Sequence, residues 1–129
     1  MYKVLLTGTI HPSAVEMLKE KAEVILVQEL EKMYQIINDV DAIIVRTPLP
    51  SDILSNVSKL KVIVRHGIGL DFIPVEEATK RGIVVANTPD ANAQSVVEHI
   101  IGVILLLSRQ FHRLDFQLRQ GNWNYRQQI

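Results

Sequence analysis

The feature that most constrains this chain is a recurring couplet: a short run of apolar residues, then a stretch whose apolar residues fall at helical spacing. The runs are Val4-Leu5-Leu6, Val24 to Val27, Ala42 to Val45, Val62 to Val64 and Ile83 to Ala86. None alternates apolar with polar, which is the pattern of strands covered on both faces by helices and therefore of a parallel sheet. Between the runs, Pro12 suits the first turn of a helix carrying Ala14, Met17 and Leu18, and Leu30, Met33, Tyr34 and Ile37 follow the i, i+3, i+4, i+7 rule. The segment from Ser51 to Val57 turns Ile53, Leu54 and Val57 inward, and Pro74 opens a further helix that Gly82 stops. The fold predicted is α/β: a five-stranded parallel sheet of flavodoxin-like order 2-1-3-4-5, followed by a long C-terminal helix.

The pattern changes after Asn87-Thr88-Pro89. A helix is predicted to start near Ala93, and from Val96 to Leu107 only Glu98 and His99 interrupt its apolar character. A helix apolar on all sides is expected to be buried, and Glu98 within it to meet a buried partner. From Arg109 the chain turns basic, while Phe111, Leu114 and Leu118 keep a narrow stripe that carries helix toward Gly121, with room for a bend. The expected division is residues 1–92 and residues 93–129.

Composition removes several function classes. Lys plus Arg equals Asp plus Glu at 14 each, so no overall field attracts nucleic acid or an anionic membrane. The most apolar segment, Ile100 to Leu107, is far shorter than the roughly 18 residues a membrane span requires. With no cysteine there is no disulfide, thiolate nucleophile or sulfur-ligated metal, which fits a cytoplasmic protein. The four histidines, His11, His66, His99 and His112, lack metal-ligand spacing, and no metal is expected. Ser95, Glu98 and His99 lie on one helix and point in different directions, so they do not form a nucleophilic triad.

In an open parallel sheet, ligands bind beyond the carboxyl ends of the strands, near the point where strand order reverses. The loops there are Thr7 to Ile10, Arg46 to Pro50 and His66 to Asp71. Gly67 and Gly69, flanking Ile68, let backbone approach a ligand and turn N–H groups toward an anion, while Arg46 offers a forked guanidinium to a carboxylate or phosphate. A Gly-x-Gly after a strand is also a common tight turn, and no third glycine makes it a dinucleotide fingerprint.

Four stretches together resemble the D-isomer-specific 2-hydroxyacid dehydrogenases, closest to the D-3-phosphoglycerate type of serine biosynthesis. They are Asp41-Ala42-Ile43-Ile44-Val45-Arg46-Thr47, Val64-Arg65-His66-Gly67-Ile68-Gly69-Leu70-Asp71, Gly82-Ile83-Val84-Val85-Ala86-Asn87-Thr88-Pro89 and Ser95-Val96-Val97-Glu98-His99, with Gly121-Asn122-Trp123 near the end. Phe72 and Pro74 depart from the usual Asn and Asp of the family.

The resemblance implies that residues 1–92 form a substrate-binding domain, and that residues 93–129 hold a crossover helix and the start of a dinucleotide-binding domain. It implies that Arg46 and the backbone of Gly67, Ile68 and Gly69 hold the acid groups of a small 2-hydroxy or 2-keto acid. It places Ile68 and Val96 beside the nicotinamide of NAD, and implies a homodimer through the 93–120 helix. The family's Gly-rich fingerprint and catalytic Arg, Glu and His are expected beyond residue 129. No catalytic residue is therefore expected here, nor tight cofactor binding or turnover by these residues alone.

Other classes fit less well. A phosphoacceptor receiver domain needs acidic residues where Thr7 and Arg46 stand, and Thr7-Gly8-Thr9 is only part of a flavin phosphate loop. The main alternative is an excised flavodoxin-like module with no specific ligand.

Overall fold

A computed structural model describes residues 1–127, and the chain divides into two compact units, Met1–Ala91 and Asn92–Ile129. The first unit holds a five-stranded sheet of order β2-β1-β3-β4-β5 with every pair parallel. Its strands are β1 (Tyr2–Leu6), β2 (Ala22–Leu26), β3 (Ala42–Val45), β4 (Val62–Arg65) and β5 (Val84–Ala86). Its helices are α1 (Pro12–Lys19), α2 (Leu30–Ile36), which tightens into a 3-10 turn at Ile37–Asp39, and α3 (Val75–Lys80). This is the strand order that the couplets imply. Between β3 and β4 the chain makes successive turns instead of a helix, Ile53 N–H donating to Pro50 O and Ser55 N–H to Asp52 O.

The two faces of the sheet are not equally covered. Leu5, Ile43 and Ile63, one from each of the three central strands, are wholly inaccessible and pack with Met33, Ile37, Leu54, Ala78 and Ile83. The opposite face carries a smaller cluster, Val4, Leu6 and Ala22, against Val15 and Leu18 of α1. Met17, which helical spacing assigned to the core, is instead 71% exposed; Val15 and Leu18 form the packed stripe. Leu30 and Tyr34 likewise stay at the surface, the tyrosine hydroxyl donating to Asp52 at 2.8 Å, while Met33 and Ile37 carry the α2 contact.

Local signals explain the element ends. Pro12 occupies the first turn of α1, and the His11 ring nitrogen Nδ1 accepts the Ser13 N–H that the helix leaves unpaired. Gly82 sits at φ +70° just after α3, a conformation that favours glycine, and lets the chain turn directly into β5.

The second unit contains α4 (Ala93–Ser108) and α5 (Phe111–Arg119), followed by a 3-10 turn at Trp123–Gln127. Two expectations are corrected here. Helix α4 is exposed along its length, Ile104 and Leu107 at 58% each, because apolar periodicity states what a helix can bury without supplying a surface to bury it against. Glu98 accordingly meets no buried partner; it is exposed and accepts a hydrogen bond from Gln94 one turn earlier, at 2.8 Å. The run toward Gly121 breaks at Gln110, whose φ of 50° is left-handed and separates α4 from α5. Among the described residues no helix is long and apolar enough to cross a membrane, and no cluster of His, Cys, Asp or Glu could hold a metal ion.

At the amino edge of the sheet, Lys3 of β1 pairs with Asp39, and Lys59 approaches Asp39 at 3.4 Å and Asp41 at 3.7 Å. The Lys3 ammonium donates to Asp39 and holds its carboxyl below the ordinary value, while Lys3 itself is raised by the same hydrogen bond. A lowered carboxylate stabilises the fold above its unfolded value, and the contribution is lost as pH falls through the folded one; a raised lysine contributes below its unfolded value and loses it on the alkaline side. The Asp39→Asn variant is therefore expected to melt slightly below the parent between about pH 4 and about pH 10. Thermal melts across that range check this, and the difference should shrink at both ends and in high salt.

Candidate functional site at the carboxyl edge of the sheet

Strand order reverses between β1 and β3, so the loops leaving their carboxyl ends flank the crevice. What fixes these loops is Thr7, a fully buried polar residue. Its hydroxyl oxygen accepts the N–H groups of Arg46 at 2.8 Å and Thr47 at 3.1 Å, while the Thr47 hydroxyl donates back to Thr7 O at 3.1 Å. The Thr7 N–H continues the ladder to Ile44 O at 3.1 Å. The backbone of Arg46 is thereby pinned to the end of β1.

Its side chain is steered by what lies beside it. A Cβ at Gly8 would stand 2.7 Å from the Arg46 Cβ and 3.2 Å from its Cγ, so the arginine stem lies against a bare backbone. The guanidinium then reaches across to β4, where Nη1 donates to Nδ1 of His66 at 2.8 Å. A guanidinium has no acceptor, so the imidazole must receive this bond; when neutral, His66 carries its proton on Nε2.

The turn after β4 is tied on its other flank to the chain following β5. The Gly67 N–H donates to the Thr88 hydroxyl at 3.0 Å, Thr88 N–H donates to Gly67 O at 3.0 Å, and the Asn87 amide donates to Ile68 O at 2.8 Å. Gly67 has φ +149°, within the range that favours glycine. The Gly67 N–H is thus already engaged, whereas those of Ile68 and Gly69 have no acceptor among the described residues. Ile68 itself is 48% exposed.

The structure therefore brings Arg46, Gly67, Ile68 and Gly69 to one edge of one unit. Val96, expected near the nicotinamide, lies on α4 in the second unit and is exposed. Thr7 and His66 begin loops that sequence reasoning singled out, and Thr88 lies in a stretch that carries the resemblance, but none of the three was given a role of its own. The available signal was position: each stands at or just beyond the carboxyl end of a strand, where polar residues interrupt an apolar run.

Comparison with known proteins shows the family. The family description for the D-isomer specific 2-hydroxyacid dehydrogenase catalytic domain matches residues 4–119. The chain belongs to that family. It is 38% identical over 128 residues to the D-3-phosphoglycerate dehydrogenase of Methanocaldococcus jannaschii, covering 96% of this chain and 24% of that protein. Among solved structures, an NADPH-dependent glyoxylate/hydroxypyruvate reductase from Sinorhizobium meliloti in complex with citrate superposes with a TM-score of 0.83 at 31% identity, over 97% of this chain and 41% of the other. The cofactor (NAD+)-bound 3-phosphoglycerate dehydrogenase of Entamoeba histolytica gives 0.69 at 30% identity, over 81% and 38%. The chain thus spans about a quarter of the phosphoglycerate dehydrogenase from Methanocaldococcus jannaschii.

Removing the Thr7 hydroxyl should leave two amides without their acceptor. The Thr7→Val variant is expected to lose about 1–3 kcal/mol of stability in urea titration, and Thr7→Ser to recover most of it. Equal losses in both would indicate a packing effect and not the hydrogen bonds.

Proposed function

We propose that residues 1–92 form the substrate-acid-binding domain of an NAD-dependent D-2-hydroxyacid dehydrogenase, of the D-3-phosphoglycerate type, in a cytoplasmic setting. The observation that carries this reading is the pairing, at one end of the sheet, of the Arg46 guanidinium with the unengaged N–H groups of Ile68 and Gly69. A carboxylate or phosphate is an acceptor-only group with several lone pairs, and a fork plus two amides is a donor set suited to it. The relatives named above as phosphoglycerate dehydrogenases and glyoxylate/hydroxypyruvate reductases support a small 2-hydroxy or 2-keto acid as the ligand.

The fit to a nicotinamide dinucleotide is partial. Ile68 offers an exposed apolar side chain next to the two amides, which suits one edge of a nicotinamide ring, and Val96 is the second contact in this reading. No G-x-G-x-x-G fingerprint occurs in residues 1–129, so no pyrophosphate cradle can be assigned to them. The bound dinucleotide supplies the hydride acceptor. The chain's own part is to hold the acid and orient its α-carbon, and no proton-transfer residue is assigned to residues 1–129. On this reading residues 93–129 carry the crossover helix into a dinucleotide domain.

Two measurements test the proposal. Amide shifts of the isotopically labelled chain, titrated with D-3-phosphoglycerate and separately with malonate, are expected to move at Ile68 and Gly69 first. A spectrum unmoved at millimolar acid would favour the ligand-free module instead. With NAD and D-3-phosphoglycerate the chain alone is expected to produce no NADH fluorescence, and sustained turnover would reject the assignment of catalysis elsewhere.

The exposed apolar length of α4 supports the second element of the reading, association of two copies through residues 93–120. Sedimentation equilibrium over a wide concentration range is expected to show a dimer that Ile104→Glu weakens. A monomer at every concentration would remove the proposal.

A further inference from the structure

Arg65 ends β4 in register with Val45 of β3, and its half-buried side chain lies against the two loops. Nη1 donates to Val45 O at 2.8 Å, with longer approaches to His66 O at 3.3 Å and Arg46 O at 3.5 Å. Nε donates to Gly69 O at 3.2 Å. The guanidinium carbon lies 4.2 Å from the centre of the Phe72 ring, a distance at which a cation is attracted to the ring's negative face. Phe72 in turn accepts the Leu49 N–H on its carbonyl at 2.9 Å, so the ring belongs to a segment already tied to the loop after β3.

Four carbonyls from the end of β3, the loop after β3 and the turn after β4 thus face one rigid fork. The planar guanidinium directs its N–H groups at fixed angles, which a lysine ammonium cannot imitate. The contact to Gly69 O fixes the Gly69–Leu70 peptide plane at the downstream end of the turn, while the planes that carry the Ile68 and Gly69 amides have their carbonyls, Gly67 O and Ile68 O, held by Thr88 and Asn87; Arg65 thus anchors the end of the turn that those residues leave free. Glycine on both sides of Ile68 gives this turn wide conformational freedom, so a hold at its Gly69 end complements those that Thr88 and Asn87 supply. No carboxylate lies within ion-pair distance of Arg65 among the described residues, so its charge also adds to the attraction of the crevice for anions.

We propose that Arg65 is a positioning residue, whose guanidinium clamps the loops after β3 and β4 into one crevice and so aims the Ile68 and Gly69 N–H groups at an acid ligand. The proposal rests on the acid-binding reading above, yet it makes a separate statement about the turn before any ligand arrives.

The test compares ligand-free and ligand-bound amide spectra of the whole chain for Arg65→Lys, Arg46→Lys and Phe72→Leu, each first shown to be folded by circular dichroism. In Arg65→Lys the ligand-free Ile68 and Gly69 resonances are expected to move and to gain fast motion in heteronuclear NOE, and D-3-phosphoglycerate or malonate to bind about ten-fold more weakly. Arg46→Lys should weaken binding while leaving those ligand-free resonances where they are, since it removes a contact and not the clamp. Phe72→Leu keeps the fork and removes the ring beneath it, and should give a smaller shift of the same kind; it serves as the test if Arg65→Lys does not fold. Parent-like Ile68 and Gly69 resonances in Arg65→Lys, or in Phe72→Leu where it stands in, overturn the proposal. If the parent binds neither acid, the acid-binding reading fails and with it the purpose assigned to the clamp, while the ligand-free spectra still decide whether the clamp exists.

Discussion

The Thr7 hydroxyl, shut off from water, accepts hydrogen bonds from two consecutive amides, those of Arg46 and Thr47, and the rest of the carboxyl edge is referred to that point. A buried acceptor without partners would cost free energy, and two amides leaving a strand without acceptors would cost more, so each satisfies the other. The consequence is directional. With its backbone fixed and its stem laid against the bare Gly8, Arg46 has few ways to extend, and the one it takes leads to His66 at the head of the Gly-x-Gly turn.

From there the arrangement is a chain of constraints across the sheet. Thr7 fixes the loop after β3, Arg65 joins that loop to the turn after β4, and Thr88 and Asn87 hold the far side of the turn. Each of these bonds joins backbone to a side chain at the end of a strand, β1 for Thr7, β4 for Arg65 and β5 for Asn87 and Thr88. Since the three central strands share the larger core, with Leu5, Ile43 and Ile63 wholly inaccessible, the loops inherit the rigidity of the sheet. This is how a fold assembled from apolar runs comes to place polar donors at fixed separations.

How much of this the sequence shows depends on whether a feature is periodic. The strands and their order could be read because continuous apolar runs permit few arrangements once right-handed crossovers are required. Arg46 and the Gly67-Ile68-Gly69 turn could be singled out because they follow strands, and resemblance to the dehydrogenases implied the role proposed for them. Thr7, Arg65 and Thr88 are single polar residues whose importance lies in partners some 20 or more positions away, with |i−j| of 39, 20 and 21, and no local pattern records those distances. A bend after Arg109 was allowed for, but its place at Gln110 was not legible, since neither glycine nor proline marks it. The burial of α4 was misjudged for another reason: a sequence reports the apolarity of a helix, and burial is a property of a helix together with whatever lies against it.

The distribution of charge adds an argument that composition conceals. Positive and negative side chains balance at 14 each, yet the two ends of the sheet treat them differently. At the amino edge Lys3 and Lys59 meet Asp39 and Asp41, and elsewhere in the unit Lys32 pairs with Glu29 and Arg81 with Glu77. At the carboxyl edge Arg46 and Arg65 have no carboxylate within ion-pair distance among the described residues; they bond instead to an imidazole nitrogen and to carbonyl oxygens. Asp71 lies beside the Gly69 backbone, one negative charge against two guanidinium groups. Neutral acceptors orient a cation without cancelling its charge, so the field of both arginines remains directed at the crevice. A fold that required only orientation at this edge could have used glutamine amides; charged forks left uncompensated beside two unengaged N–H groups make the edge attractive to an anion from solution.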